Sequence, residues 1–303
     1  MRISGFIICT ILLVVRDAMS APTDNTSGFG GATIVSSAGG KAICIIGNIP
    51  VSATTNDNVN FKYGEPPNQL ALTETWVELI QINSTLLSQL NGGSINVSGT
   101  FNINSKLCFP TQWSAINGTK TLQFLIHGIG FEKDYWDVAP GYSYIDVAAE
   151  AGYPTFSYDR LGTGLSDHPD PINVVQSPIE VEIAHSLIQT LRSGGLAGQT
   201  WDRIVGVGHS FGSTQSVGLT VQYPKDYDAV VLTGFTTSAA ALGLTFAGWN
   251  GAIANQNQPS RFGNLPNGYV VTDTPISNQL TFLRYPNFDP ARKLFICFTR
   301  SHG

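Results

Sequence analysis

The stretch Val205-Gly206-Val207-Gly208-His209-Ser210-Phe211-Gly212-Ser213 constrains this chain more than any other. Before it, Arg203 to Val207 is a short β-branched run that suits a buried strand. After it, Thr214 to Tyr223 reads as a helix, stopped by Pro224. Between them lies Gly-x-Ser-x-Gly, a pattern that turns a strand directly into a helix and leaves the serine strained, with its Oγ exposed at the end of the sheet. Gly208 and Gly212 have steric work there, because a Cβ at either would obstruct neighbouring backbone. In a chain with 32 glycines the bare pattern says little, so the flanking strand and helix carry the reading.

The same alternation extends to both sides. From Thr121 onward, strand-like runs (Leu122 to Ile126, Thr155 to Tyr158, Ala229 to Thr233) alternate with helix-like ones (Tyr144 to Ala151, and a long stretch opening at Ser177). This order implies an α/β fold whose parallel sheet is covered on both faces, with Ala229 to Thr233 read as another buried strand. In the long helix Ile179, Ile183, Leu187 and Leu191 form one apolar stripe with Ala184 and Ile188, and Gly194-Gly195 closes it. Ser177, Pro178 and Glu180 are placed as N-cap, first turn and capping box. Upstream, period-two apolar positions at Ile95-Val97 and Thr100 to Leu107 indicate β-structure, whereas Thr73 to Leu90 fits strand and helix equally. Ala21 to Lys41 is rich in Gly, Ser and Thr and is expected to be mobile. Residues 236–288 lose sheet periodicity and read as a cap over the end of the sheet.

Length and charge narrow the classes. A chain of 303 residues is ample for one α/β domain carrying an inserted cap. A net charge of −5 without a basic cluster argues against nucleic acid as a partner. Met1-Arg2 and the apolar run to Val15 have the form of a signal peptide, with Ala18-Met19-Ser20 placing cleavage before Ala21. The run is shorter than a membrane span, so no stable membrane insertion is expected and the protein is expected to be secreted. Sequons at Asn25, Asn83, Asn96 and Asn117 agree with that route. Cleavage removes Cys9; a Cys44–Cys108 bridge is then favoured in an oxidising compartment, leaving Cys297 odd.

An acyl-transfer serine needs N–H donors aimed at a developing oxyanion, a histidine base and an acid to orient it. Ser210 is the candidate nucleophile. The Phe211 N–H, directly after it, is one candidate donor. His127-Gly128-Ile129-Gly130 follows the Leu122 to Ile126 strand and offers the Ile129 N–H, with Gly130, as the second.

These motifs, with Asp134-Tyr135-Trp136-Asp137, Tyr158-Asp159-Arg160-Leu161-Gly162-Thr163-Gly164-Leu165-Ser166-Asp167 and Gly208-His209-Ser210-Phe211-Gly212, resemble the α/β-hydrolase fold superfamily, and more narrowly its secreted fungal members. Looser likeness to the fungal members lies at Gly47 to Ala53 and Arg261 to Tyr269. The resemblance covers roughly residues 44–289. It implies a mostly parallel sheet with flanking helices, and a structural role for Asp159 and Arg160. It also implies the chain order Ser, Asp or Glu, His. Here the sequence departs: His127, His168, His185 and His209 all precede Ser210, only His302 follows, and no carboxylate stands where the acid is due. The expectation is a chain missing the C-terminal part of the fold.

The expected organisation is a signal peptide (1–20), a β-rich segment (21–115), an α/β core (116–237), a cap (238–290) and an atypical tail (291–303). The expected function is a secreted serine hydrolase acting on a small-molecule ester, impaired in this chain, with no cofactor and no metal. The alternative is a catalytically inactive secreted binding protein of the same fold. Expressed in a eukaryotic secretory host, the protein should begin near Ala21 and carry N-glycans. Mass spectrometry that finds an intact Met1 and unmodified Asn83, Asn96 and Asn117 refutes this.

Overall fold

The computed structural model describes residues 19–20, 24–116, 118–238, 240, 242–284 and 286–288. Asn117, the run 294–298, Cys297, His302 and nearly all of the signal segment lie outside them.

A seven-stranded sheet organises the described residues: β1 (Gly30–Ser36), β2 (Ala42–Phe61), β3 (Asn91–Pro110), β4 (Thr121–Ile126), β5 (Thr155–Tyr158), β6 (Arg203–His209) and β7 (Ala229–Thr233). Their spatial order is β7-β6-β4-β5-β3-β2-β1. The first three of those pairings are parallel and the last three antiparallel, so five strands run one way and two the other. The apolar runs of β4, β5 and β6 sit centrally. Leu122, Phe124, Leu125, Ile126, Phe156 and Ile204 are fully buried, as strands covered on both faces require.

The described part of the β-rich segment 21–115 is hydrogen-bonded into the same sheet as the α/β core. β2 and β3 pair antiparallel from Ala42↔Pro110 to Phe61↔Asn91, with register shifts between Thr55 and Asn58 and between Val59 and Phe61, and β3 joins β5 through Ser105↔Tyr158 to Cys108↔Thr155. Cys44 and Cys108 face each other across the β2–β3 pair and are joined by a disulfide, in the cluster with Leu125, Trp136, Ile145 and Val207. From residue 24 to 41 the chain is more ordered than its composition suggests. Gly30–Ser36 pairs with β2, and a bulge between Gly30 and Thr33 takes up the glycines, Gly31 standing at φ 62°.

Helix α1 (Gln69–Leu79) resolves the ambiguous Thr73 to Leu90 region, which continues into a short helix at Leu86–Leu90. Asn68 caps α1, its side chain accepting from the Ala71 N–H at 3.0 Å. Helix α2 (Tyr144–Glu150) covers one face of the sheet. Helix α3 (Ser177–Arg192) covers the other, with its whole apolar stripe buried against the core.

Two sequence expectations need correction. The capping box at Ser177 does not form. Gln176 is the N-cap residue and makes no side-chain cap, and the Glu180 carboxylate is drawn instead to the Arg160 guanidinium, at 2.9 and 3.1 Å. A charged donor, Arg160 Nη1 reaching both carboxylate oxygens, outcompetes a neutral N–H. The second concerns β7, which is not buried. It pairs only with β6 among the described residues, and Val230 and Val231 are 39% and 47% exposed.

Helix α4 (Phe211–Gln222) follows β6 directly. The cap is built from small pieces: helices at Leu242–Trp249, Ala254–Asn257, Pro259–Phe262 and Pro275–Phe282, with an antiparallel ribbon of Gly251–Ile253 and Val270–Thr272. Helix α1 belongs with it. Gln69 donates to the Gly251 carbonyl and accepts from the Ile253 N–H, and Trp76 packs on Phe246 and Trp249.

The disulfide closes a separation of 64 residues. Cross-linking that length of chain removes unfolded-state entropy equivalent to roughly 4 kcal/mol. Cys44→Ser with Cys108→Ser should therefore lower the free energy of denaturant unfolding by about 2–5 kcal/mol. Unchanged midpoints would refute a stabilising role.

Candidate active site

The site begins with one residue's backbone. Ser210, between β6 and α4, has φ 52° and ψ −117°, a left-handed conformation that a residue with a Cβ adopts only when its surroundings enforce it. The enforcement is crowding on both sides. A Cβ on Gly208 would stand 2.6 Å from the backbone of Ser213, and one on Gly212 would stand 2.1 Å from the Ile126 carbonyl oxygen. Both glycines let three backbone segments close on one another.

Hydrogen bonds from β7 complete the turn. The Thr233 carbonyl accepts from the Ser210 N–H and the Ser213 hydroxyl, each at 2.9 Å, while the Thr233 hydroxyl donates to the Gly208 carbonyl at 2.9 Å. That hydroxyl in turn accepts from His209 Nδ1 at 3.0 Å, and the His209 ring stacks on Tyr135. Burial lowers the pKa of His209. Thr233 escaped notice in the sequence. Its one signal was a polar residue closing an apolar run beside the elbow strand, at the register His209↔Thr233.

The loop after β4 lies against the elbow. A Cβ on Gly128 would meet the Ser210 Cβ at 3.2 Å. Neither the Ile129 nor the Phe211 N–H has a hydrogen-bond acceptor among the described residues; Phe211 opens α4 and has no intrahelical acceptor. Gly130, at φ 73°, packs under Trp249 of the cap. The two candidate donors and Ser210 are thus brought to one place.

Buried charge supports this loop from below. The Asp159 carboxylate is fully buried and accepts from the Lys133 N–H (2.7 Å), Lys133 Nζ (2.9 Å) and the Leu165 N–H (2.9 Å). A Cβ on Gly164 would strike it at 2.2 Å, so the glycine there is required by the carboxylate. His127 is buried between the Arg160 N–H, which it accepts at Nε2 (3.1 Å), and the Gly128 carbonyl at Nδ1 (2.9 Å). Burial, then the adjacent Arg160 charge, hold its pKa well below the usual histidine value, so the ring is neutral.

Between the loop and the cap is a cavity of about 440 Å³, walled by Glu132, Thr163, His168, Trp249, Arg261 and Tyr269. Glu132 also borders a second cavity, of about 570 Å³, on the side of β1 and β2. Burial first, then the carboxylates of Asp159 and Asp134, push Glu132 up to about 7 against the pull of Lys133 and Arg261. Nothing in the sequence marked this carboxyl, because its character comes first from burial in the folded chain and from Asp159 and Arg261 brought to it by the fold.

Of the other candidate residues, Asn25, Asn83 and Asn96 are exposed. Among the described residues no cluster of His, Cys, Asp and Glu could hold a metal, and no helix is long and apolar enough to cross a membrane.

A family model for the Alpha/beta hydrolase family matches residues 124–296, more than half of the chain. The chain belongs to the alpha/beta hydrolase family. Its sheet, with flanking helices and the strand–serine–helix junction at Ser210, is an α/β-hydrolase fold. Comparison with curated proteins finds no match. Similar solved structures include an epoxide hydrolase from Vigna radiata (17% identity, TM-score 0.36, covering 52% of this chain and 45% of that one). Epoxide hydrolase A from Mycobacterium thermoresistibile (20%, 0.33, 43% and 35%) is another. A third is described as a predicted CIB-like hydrolase from Thermoplasma acidophilum (18%, 0.33, 44% and 56%). The chain thus spans about a third to a half of the length of these structures.

The raised Glu132 pKa has a thermodynamic consequence for the fold. A carboxyl with a folded-state value of about 7, against an ordinary value near 4.5, favours the fold in its neutral form. That contribution is complete below about pH 4.5 and is lost as pH rises through 7. Glu132→Gln should therefore gain thermal stability relative to wild type between pH 5 and 8. Parallel melting curves for the two proteins across that range would refute the assignment.

Proposed function

We propose that the chain is a secreted, N-glycosylated serine hydrolase of the kind its motif order resembles among fungal proteins, cleaving an ester-type bond through an acyl-enzyme on Ser210. The observation that carries this is the conformation of Ser210. A non-glycine residue at φ 52° costs about 1–3 kcal/mol of backbone strain and persists only where its surroundings over-determine it. Here that strain presents a hydroxyl beside two unpaired N–H groups. In the attack, Ser210 Oγ adds to the ester carbonyl and its proton passes to a base. The carbonyl oxygen, now an anion, is held by the Phe211 and Ile129 N–H groups. Collapse expels the alcohol, and water then releases the acid.

The base and acid are not found beside Ser210 among the described residues. His127 is committed at both ring nitrogens, and His209 at Nδ1. The same observation favours the alternative, a glycosylated binding protein without turnover. A serine-directed phosphonate that labels Ser210 supports the enzyme, and failure to label supports the binding protein.

Ser210→Ala should reduce hydrolysis of a simple aryl ester to background with an unchanged melting temperature. Ile129→Pro removes one oxyanion N–H and should lower kcat by about 10²–10³, equivalent to roughly 2.7–4 kcal/mol. Turnover that survives Ser210→Ala rules out this nucleophile.

A further inference from the structure

We propose that Arg160 is a positioning residue for the oxyanion site, acting with His127 to fix the peptide plane between Gly128 and Ile129. The inference rests on the reading of Ser210 above for its catalytic meaning, but its structural content is independent of that reading.

The hydrogen bonds determine the His127 tautomer. The Arg160 N–H can only donate, so His127 Nε2, 3.1 Å away, is the acceptor. The ring proton is then on Nδ1, which donates to the Gly128 carbonyl at 2.9 Å. Arg160 Nη2 donates to the same oxygen at 3.3 Å. Two donors therefore grip one carbonyl. In a planar trans peptide the C=O and the following N–H point in opposite directions. Holding the Gly128 oxygen toward Arg160 and His127 thus turns the Ile129 N–H away from them. Gly128 itself lies against Ser210.

The same guanidinium reaches the other donor. Its carbon is 4.9 Å from the centre of the Phe211 ring, so a cation–π contact seats the first residue of α4. Glu180 anchors the guanidinium through both carboxylate oxygens, and Gln215 of α4 also donates to Glu180. One side chain consequently holds the Gly128 carbonyl of one donor peptide and packs on the side chain of the residue that would supply the other.

A purely architectural role is the competing account: Arg160–Glu180 would simply tie α3 to the sheet. Arg160 and Glu180 are 5% and 4% exposed, and burying such a pair gains little stability over an apolar one. What separates the accounts is where Arg160 spends the groups not needed for Glu180. Nη2 goes to the Gly128 carbonyl and the guanidinium face to the Phe211 ring, not to α3, while Nε has no partner among the described residues. Burial, with the Arg160 charge beside it, keeps the His127 ring neutral, which preserves the acceptor at Nε2.

Two measurements test this. In the unaltered protein, nitrogen-15 NMR of His127 should show an unprotonated Nε2 and a protonated Nδ1, and a protonated Nε2 would overturn the proposal. Arg160→Lys keeps the charge but cannot grip Glu180 and Gly128 together. It should fold, shift the Ile129 and Phe211 amide resonances, and lower kcat on an aryl ester by about 10–100-fold with KM changed less than threefold, the signature of a displaced donor. Unmoved Ile129 and Phe211 amides, or an unchanged kcat in an active protein, would overturn it. Should Arg160→Lys fail to fold, the tautomer in the unaltered chain decides. Should Ser210→Ala retain turnover, the nucleophile reading fails, while the tautomer and the Ile129 amide still decide this one.

Discussion

Backbone crowding at the end of β6 is the constraint on which the rest depends. Three strand ends meet there: Ile126 and His127 from β4, Gly208 to Ser210 from β6, and Thr233 from β7. They can meet only because residues 208 and 212 lack a Cβ. The parallel pairing of β4, β6 and β7 brings those ends level, and the left-handed turn at Ser210 is the way the chain leaves β6 without colliding with its neighbours. The elbow is therefore a product of sheet register, not of local sequence alone.

Beneath the elbow lies a layer of buried charge that an economical core would omit. Asp159 with Lys133, and Arg160 with Glu180, are each almost wholly excluded from solvent. Replacing such pairs with packed apolar residues is often neutral or stabilising. Their use here is directional. Each ties segments of different elements together: Asp159 holds Lys133, at the start of a 3-10 turn, and Leu165, and Arg160 holds residues 127 and 128 and packs on Phe211 at the head of α4. Loops that must present N–H groups at set angles cannot be positioned by apolar contact, which has no direction.

The parallel block was legible in the sequence, because each of its strands is a short apolar run between helix signals. Thr155–Tyr158 and Ala229–Thr233 are read to the residue, and the α3 stripe needs only period and volume. The Ser-x-x-Glu opening of α3 misled, since a local pattern lost to a partner 20 residues away. β1 was hidden because Gly and Thr favour irregular structure until a neighbouring strand offers backbone partners. In the site, the residues inside motifs were legible. Thr233, Glu132 and the grip on the Gly128 carbonyl were not, because their meaning lies in contacts across the fold.

Among the described residues β7 pairs only with β6, and that pairing has a dynamic consequence. Thr233 closes this strand and holds Ser210, Ser213 and Gly208 together, so opening β7 from β6 breaks those three bonds in a single event. Edge strands open by local fluctuation, at free energies well below that of global unfolding. The lifetime of the strained serine is then governed by the fraying of an edge, and a strand added along β7 would lengthen it without touching the site. Pairing at the sheet edge and readiness at Ser210 are one linked equilibrium.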